Sequence, residues 1–183
     1  MKLKPFVCGS IEGMRPRIKN HHCQSLLLNV NPDLRTSFII NHTRCMVRSF
    51  KKWTGRDLLP GNCSPEELAD GIFKAPFVIV SHGTQADPVL NYGNEAALSL
   101  WEMSWEEFTR TPSRLTAEAP NREERARLLE TVTRQGFIDN YAGIRISKNG
   151  RRFEIFQATV WNLVTKGGEP CGQAATFSEW KFL

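Results

Sequence analysis

The sequence predicts an α+β domain: a five-stranded antiparallel sheet with helices on one face, preceded by an N-terminal amphipathic helix. Three observations carry this. Asn149-Gly150 stands between two alternating runs, one around Tyr141 and one from Phe153 to Trp161. Asn-Gly in that position marks a hairpin, because both residues tolerate positive φ. A third run, Cys171 to Trp180, follows the Gly-rich turn Lys166-Gly167-Gly168-Glu169-Pro170 and completes a meander, which needs a helical cover on at least one face. Two short strands and a helical insert precede that meander, with no βαβ alternation and no Gly-rich phosphate loop, which argues against a dinucleotide fold. Within the middle run, Phe153, Ile155, Gln157, Thr159 and Trp161 alternate with Glu154, Phe156, Ala158 and Val160. Apolar residues on both faces make it a central strand.

Residues 1–36 show no period and read as a basic, disordered extension. An organelle-targeting segment, a nucleic-acid or partner arm, and a dispensable extension compete for it. From Ser37, the residues Ile39, Met46, Phe50 and Trp53 share one helical stripe, with Arg44, Arg48 and Lys51 off it. Gly55 ends this helix, which docks on the domain or, on the sharper reading, binds a partner. Ser64-Pro65-Glu66-Glu67 is a capping box opening a short helix that Pro76 stops. Phe77 to His82 is a buried strand by its β-branched run, and Val89 to Tyr92 is its partner. Asn94 caps a helix over Glu95 to Trp101, and Ser104-Trp105-Glu106-Glu107 opens another. Asn121 starts the best-marked helix of the chain, Arg122 to Arg134, with Ala126, Leu129 and Val132 inward and Gly136 as the stop. Residues 37–75 thus hold the N-terminal helices, and 76–183 the sheet domain.

Composition narrows the function classes. No apolar run approaches the ~20 residues that cross a bilayer, the longest being Phe77 to Val80. The net charge of +5 is uneven: residues 1–55 hold ten Lys/Arg against two Asp/Glu, and residues 56–183 hold fourteen against seventeen. The folded part is therefore mildly acidic, and a nucleic-acid role is not expected of it. Five cysteines at 8, 23, 45, 63 and 171 are too far apart for a zinc knuckle or redox pair. They suggest a reducing compartment: the cytoplasm, or a plastid if residues 1–35 act as a targeting segment.

The element order resembles the PAS fold, and the motifs go further. Ser81-His82-Gly83-Thr84, Asn91-Tyr92-Gly93-Asn94, Leu100-Trp101-Glu102-Met103, Pro112-Ser113-Arg114 and Asn121-Arg122-Glu123-Glu124-Arg125 come in order. Gln135-Gly136-Phe137-Ile138, Gly150-Arg151-Arg152-Phe153, Gln157-Ala158-Thr159-Val160-Trp161 and Gly172-Gln173-Ala174-Ala175 follow. Together they resemble the MEKHLA domain family, PAS-related proteins of cyanobacteria and plants, over roughly four-fifths of the chain. That domain also ends the class three homeodomain–leucine-zipper factors of plants; here no homeodomain or heptad zipper is present, so the resemblance is to the standalone type. It implies a sensory or protein-interaction module without catalysis, able to bind a small molecule between sheet and helices or to homodimerise. It names no ligand.

Catalysis has a weak case. His82 with Asp87 or Cys171 could form a nucleophile–base set for a small hydrolase, but no nucleophile elbow accompanies them. The paired glutamates at 66–67, 106–107 and 123–124 sit in first helical turns, where the helix dipole explains them. Flavin-binding light sensors of the PAS class carry a reactive Cys before the long helix. Here Ala117-Glu118-Ala119-Pro120-Asn121-Arg122 has none, which disfavours a flavin–thiol adduct. All four histidines, at 21, 22, 42 and 82, precede that helix, which disfavours a His-ligated haem on it. No clustered metal ligands are present. Tyr92, Trp101, Trp105, Tyr141, Gln157, Trp161 and Gln173 remain as candidates to wall a pocket for a small aromatic or apolar ligand, with a filled core as the competing reading. Arg145, Arg151 and Arg152 read as a solvated rim.

Overall fold

The computed structural model describes residues 32–61 and 63–183; the readings placed on residues 1–31 lie outside it. Its elements are α1 (Pro32–Thr54), α2 (Pro65–Phe73), β1 (Val78–His82), β2 (Leu90–Gly93), α3 (Glu95–Trp101) and α4 (Trp105–Phe108). Two 3-10 turns, Ser113–Thr116 and Ala119–Asn121, lead into α5 (Arg122–Gln135), then β3 (Phe137–Ile146), β4 (Arg152–Val164), β5 (Pro170–Phe177) and β6 (Glu179–Phe182). The strands order as β2-β1-β5-β4-β3, all antiparallel. The first two strands therefore join the later meander through β1 and β5. The predicted last run, Cys171 to Trp180, is one strand interrupted at Ser178: β6 resumes on the same edge of β4 without a shift of register, Thr176 facing Thr159 and Glu179 facing Phe156.

Local signals produced most of this. Ser64 and Ser104 each accept from the N–H three residues on, while Glu67 and Glu107 reach back, so both capping boxes form. Asn94 caps α3, but Asn121 makes no side-chain cap because a 3-10 turn runs straight into α5. Helix α1 begins five residues before Ser37, at Pro32, whose missing N–H costs nothing in a first turn. At the hairpin, Gly150 alone takes positive φ, 85°, and its N–H returns to Ser147 O. Asn149 does not, so the turn is longer than the two-residue primed type.

The strand alternation is where the sequence reading fails. Gln157 has φ 49° and Asn140, on neighbouring β3, has φ 58°; the β3–β4 ladder slips between these positions and then recovers its register. A bulge inserts one residue, and with a period of two every later side chain changes face. Phe153 and Ile155 thus share their face with Ala158 and Val160, while Trp161 and Leu163 join the opposite one. Gln157 itself is exposed. A non-glycine residue in the left-handed region costs ~1–2 kcal/mol, more if β-branched. Gln157→Gly is therefore expected to be neutral or mildly stabilising in urea unfolding, and Gln157→Val to lose a further ~1–2 kcal/mol. Equal losses in both would show that a side-chain contact, not the backbone angle, matters there.

The sheet carries a core on each face. On one, Trp101 meets Phe153 edge-on at 5.3 Å and contacts Phe108 and Phe177, beneath α3 and α5. On the other, α1 lays Met46 and Phe50 over Trp161, with Phe50 edge-on at 5.0 Å. Helix α4 straddles the β2 edge, giving Phe108 to the first core and Trp105 to the second. Polar contacts seat α1: Trp53 Nε1 donates to Asn162 O (2.9 Å), Arg48 donates to Val164 O (2.8 Å), and Ser49 Oγ accepts from Val164 N (3.0 Å). The helix is thus docked on the sheet.

Candidate functional site

Between α5 and the sheet lies a cavity of about 60 Å³. Helix α5 contributes Arg125, Leu128 and Leu129; the strands contribute Val80, His82, Tyr141, Arg145, Ile155, Ala158, Val160 and Gln173; Trp101 and Phe108 close it. The inward stripe of α5 runs Arg125, Leu128 and Leu129, Val132, a proper helical spacing. The predicted stripe was offset: Val132 is buried and Leu129 half-buried, but Ala126 is exposed. An arginine at the inward position hides the stripe from a hydrophobicity reading.

Two amides strap this helix down. Gln173 Nε2 shares its two N–H groups among Leu129 O (3.0 Å), Thr133 Oγ1 (3.1 Å) and Asn162 Oδ1 (3.0 Å), and Asn162 Nδ2 donates to Val132 O (2.9 Å). They add side-chain bonds to carbonyls of the last turns of α5, where Val132 O also accepts from Gly136 N and Leu129 O from Thr133 Oγ1. Gln173 thus lines the cavity with its amide nitrogen already committed.

Charge in the cavity is one-sided. Arg145 is only 7% exposed, not a rim residue; it donates to Ile144 O (2.8 Å) and to the Tyr141 hydroxyl (3.1 Å). Arg125 makes no hydrogen bond or ion pair among the described residues. Burial, with the Arg145 cation adding, pushes it down to about 10, so it stays charged at neutral pH. His82, 8% exposed, donates from Nδ1 to Gly83 O (2.8 Å), and its Nε2 has no partner. Burial lowers the His82 pKa, the Gly83 bond opposes this, and the Arg125 charge lowers it further. The Trp101 indole N–H is also unpartnered. No lining residue is acidic and none is cysteine. Arg151 and Arg152 do lie at the surface, Arg151 over the Phe182 ring at 3.4 Å and Arg152 on Glu118 at 3.0 Å.

The seven predicted pocket residues separate. Trp101, Tyr141 and Gln173 line the cavity. Tyr92, Trp105 and Trp161 belong to the core beneath α1, and Gln157 is exposed on its bulge. The cause is the phase change in β4 and the alternation in β2, where Leu90 faces α3 and Tyr92 faces α1. The hydrolase set does not assemble either. Asp87 pairs at the surface with Arg114 (3.1 Å), and Cys171 lies 3.6 Å from Cys45, Sγ to Sγ. Burial, with Cys45 adding, pushes the Cys171 thiol up to about 11, away from nucleophilic use. No hydrogen bond joins His82, Asp87 and Cys171 to one another.

Beneath α1, Ser81 Oγ donates to Asn91 Oδ1 (2.6 Å) and so accepts from His42 Nε2 (2.7 Å), while His42 stacks on Phe38 at 5.1 Å. Burial pushes His42 from its ordinary 6.5 down to about 4. The unfolded chain therefore takes up the proton first as pH falls. Stability from the neutral ring is complete above pH 6.5 and is lost progressively towards pH 4, by ~3 kcal/mol at most. His82 acts in the same direction. The urea midpoint is expected to fall through this window, and a His42→Gln variant to show a clearly shallower fall.

Arg125 and Arg145 are the residues that sequence reasoning missed. A usable signal existed: Tyr141 and Arg145 share a strand face at even spacing, and Arg125 sits three and four residues before two leucines.

The MEKHLA domain profile matches residues 40–182. The homeobox-leucine zipper protein ATHB-9 of Arabidopsis thaliana is 27% identical over 145 residues, covering 76% of this chain but only 17% of that protein. Among solved structures, the PAS domain of a Colwellia psychrerythraea protein superposes with TM-score 0.54 at 14% identity, over 64% of this chain and 95% of that one. An RNA-binding Light-Oxygen-Voltage receptor gives TM-score 0.55 at 18% identity, over 66% of this chain and 33% of that one. A Light-Oxygen-Voltage domain studied with a flavin analogue gives 0.51 at 14%, over 64% and 84%. These likenesses show the fold. A flavin does not fit this cavity as formed: about 60 Å³ is far below the ~300 Å³ at which pockets for larger organic ligands begin, and Arg125 and Leu128 occupy its α5 side. No helix among the described residues is long and apolar enough to cross a membrane. With the profile spanning most of its length and a PAS-like sheet beneath it, this chain belongs to the MEKHLA domain family.

Proposed function

We propose that this chain is a non-catalytic sensory module whose α5–sheet cavity takes a small molecule, with occupancy altering how α5 sits on the sheet. One observation carries the reading: Arg125 and Arg145 line one cavity that has no acidic residue in its wall, and His82 Nε2 and Trp101 Nε1 of the same lining residues have no protein partner among the described residues. Two like charges around one partly desolvated void are mutually unfavourable, and a purely structural core has no reason to gather them there. The Light-Oxygen-Voltage neighbours use the same fold in a receptor, which supports a sensory role here. A homodimer would have to form through α1 or the sheet edges β2 and β3, because α1 already covers the face opposite α5. A reducing compartment, cytoplasm or plastid, suits the thiols of Cys45 and Cys171, which form no disulfide.

The test is a thermal-shift screen of the full chain against a metabolite library. A true ligand at about 100 times its Kd adds roughly 2.7 kcal/mol. An Ala158→Met variant, which fills the cavity, is expected to lose that response. A library without any hit, or hits that survive Ala158→Met, would remove the support for this reading.

A further inference from the structure

We propose that the cavity binds a small monocarboxylate, its carboxylate held by Arg125 with Arg145 and its short hydrocarbon part against Trp101, Phe108 and Ile155. This rests on the reading of the cavity as a ligand site and names the chemistry of the occupant.

Charge gives the anion. Two guanidinium groups share one void, and no acidic residue lines it. Arg145 uses two of its donors on Ile144 O and Tyr141, while Arg125 uses none among the described residues. Two like charges in a partly desolvated space are mutually unfavourable and call for a counter-charge. A guanidinium presents a planar fork of N–H donors that matches a carboxylate in two parallel bonds. Arg125 is free to do this, and Arg145 is pre-set by its own two bonds.

Size and polarity give the rest. A void of about 60 Å³ has room for roughly four water-sized groups at ~15 Å³ each. That admits acetate, propionate or butyrate, and excludes nucleotides and larger phosphoesters. Val80, Leu90, Phe108, Ile155, Ala158 and Val160 make most of the remaining wall apolar, beside Ser81, Thr116 and Gln173. Phosphate or sulfate would turn some of its oxygens towards those apolar side chains. A carboxylate with a short alkyl group turns its oxygens to the arginines and its hydrocarbon part to these side chains.

The experiment uses the full chain at constant ionic strength, with sodium acetate, propionate and butyrate at millimolar concentration, read by thermal shift and calorimetry. Propionamide tests the charge, and inorganic phosphate tests the hydrocarbon part. Carboxylates are expected to stabilise the protein, propionate and butyrate more than acetate, with propionamide and phosphate inactive. Arg125→Gln is expected to weaken propionate binding about tenfold or more, to leave the unliganded melting temperature unchanged or raised, and Arg125→Lys to restore part of the affinity. Raised stability together with lost binding is what a structural arginine would not give. An Arg125→Gln variant that melts lower with unchanged affinity overturns the proposal. Stabilisation by propionamide or phosphate but not by carboxylates overturns the carboxylate assignment and leaves the cavity as a ligand site. No response to any of these, with a hit elsewhere in a wider library lost in Ala158→Met, has the same meaning. No response to either set overturns both.

Discussion

Replacing Asn94 by alanine is expected to cost about 3–5 kcal/mol and to lower the melting temperature by roughly 10 °C. Asn94 is fully buried. Its Oδ1 accepts from Ile79 N (3.0 Å) and Ala97 N (3.1 Å), and its Nδ2 donates to Phe77 O (2.7 Å) and faces Ile72 O and Ala75 O. One side chain therefore ties the end of α2, the start of β1 and the first turn of α3. Alanine leaves two buried N–H groups and at least one carbonyl unmade at ~1–3 kcal/mol each, including the loss of the α3 cap. Asn94→Asp keeps the acceptor, loses the donors and buries a charge, so it should be no milder. Urea unfolding measures both. A loss below ~1 kcal/mol for alanine would mean that water or a rearranged backbone takes over these bonds.

Gly172→Ala is expected to cost more than ~3 kcal/mol, beyond ordinary overpacking, and to weaken ligand binding as well. Gly172 has φ 139°, and a β-carbon there would fall inside the contact radius of the His82 carbonyl oxygen. That obstacle is backbone, so no side-chain rotation relieves it. The neighbouring rung, His82 opposite Gln173, has to open, and both residues line the cavity. Gly150→Ala is the control: its φ is 85°, but nothing lies within 4 Å of the added carbon, so it should cost only ~1–2 kcal/mol of backbone strain. If the two variants lose equal stability, the close approach of β5 to β1 is not what requires glycine at 172.

Both variants act at contacts between elements far apart in the chain, and the same division governs which readings held. Helix starts at Ser64, Asn94 and Ser104 were legible because each signal and its effect lie within four residues. Strand existence and the antiparallel order were legible from the Asn-Gly and Gly-Gly turns and from the family motifs. The bulge was not. Gln157 is no glycine, and its φ of 49° goes with irregularities in other strands, at Asn140 on β3 and at Ser178 between β5 and β6. That single offset sent Trp161 to α1 and Ala158 to the cavity, and with them the predicted pocket divided. The inward placement of Arg125 and the burial of Arg145 went unread although their spacing hinted at it, because a local pattern assigns arginine to solvent.

The order of residues on its own was enough for the element sequence and a sheet roofed by helices, which follow from turns, caps and periodicities of short range, and its ordered motifs were enough for the family resemblance. Which side chains meet was decided only in three dimensions: the face each residue takes after position 157, the strapping of α5 by Gln173 and Asn162, and the pairing of two arginines over one void. Those depend on strand register and desolvation, which arise between elements and leave no local mark in the chain.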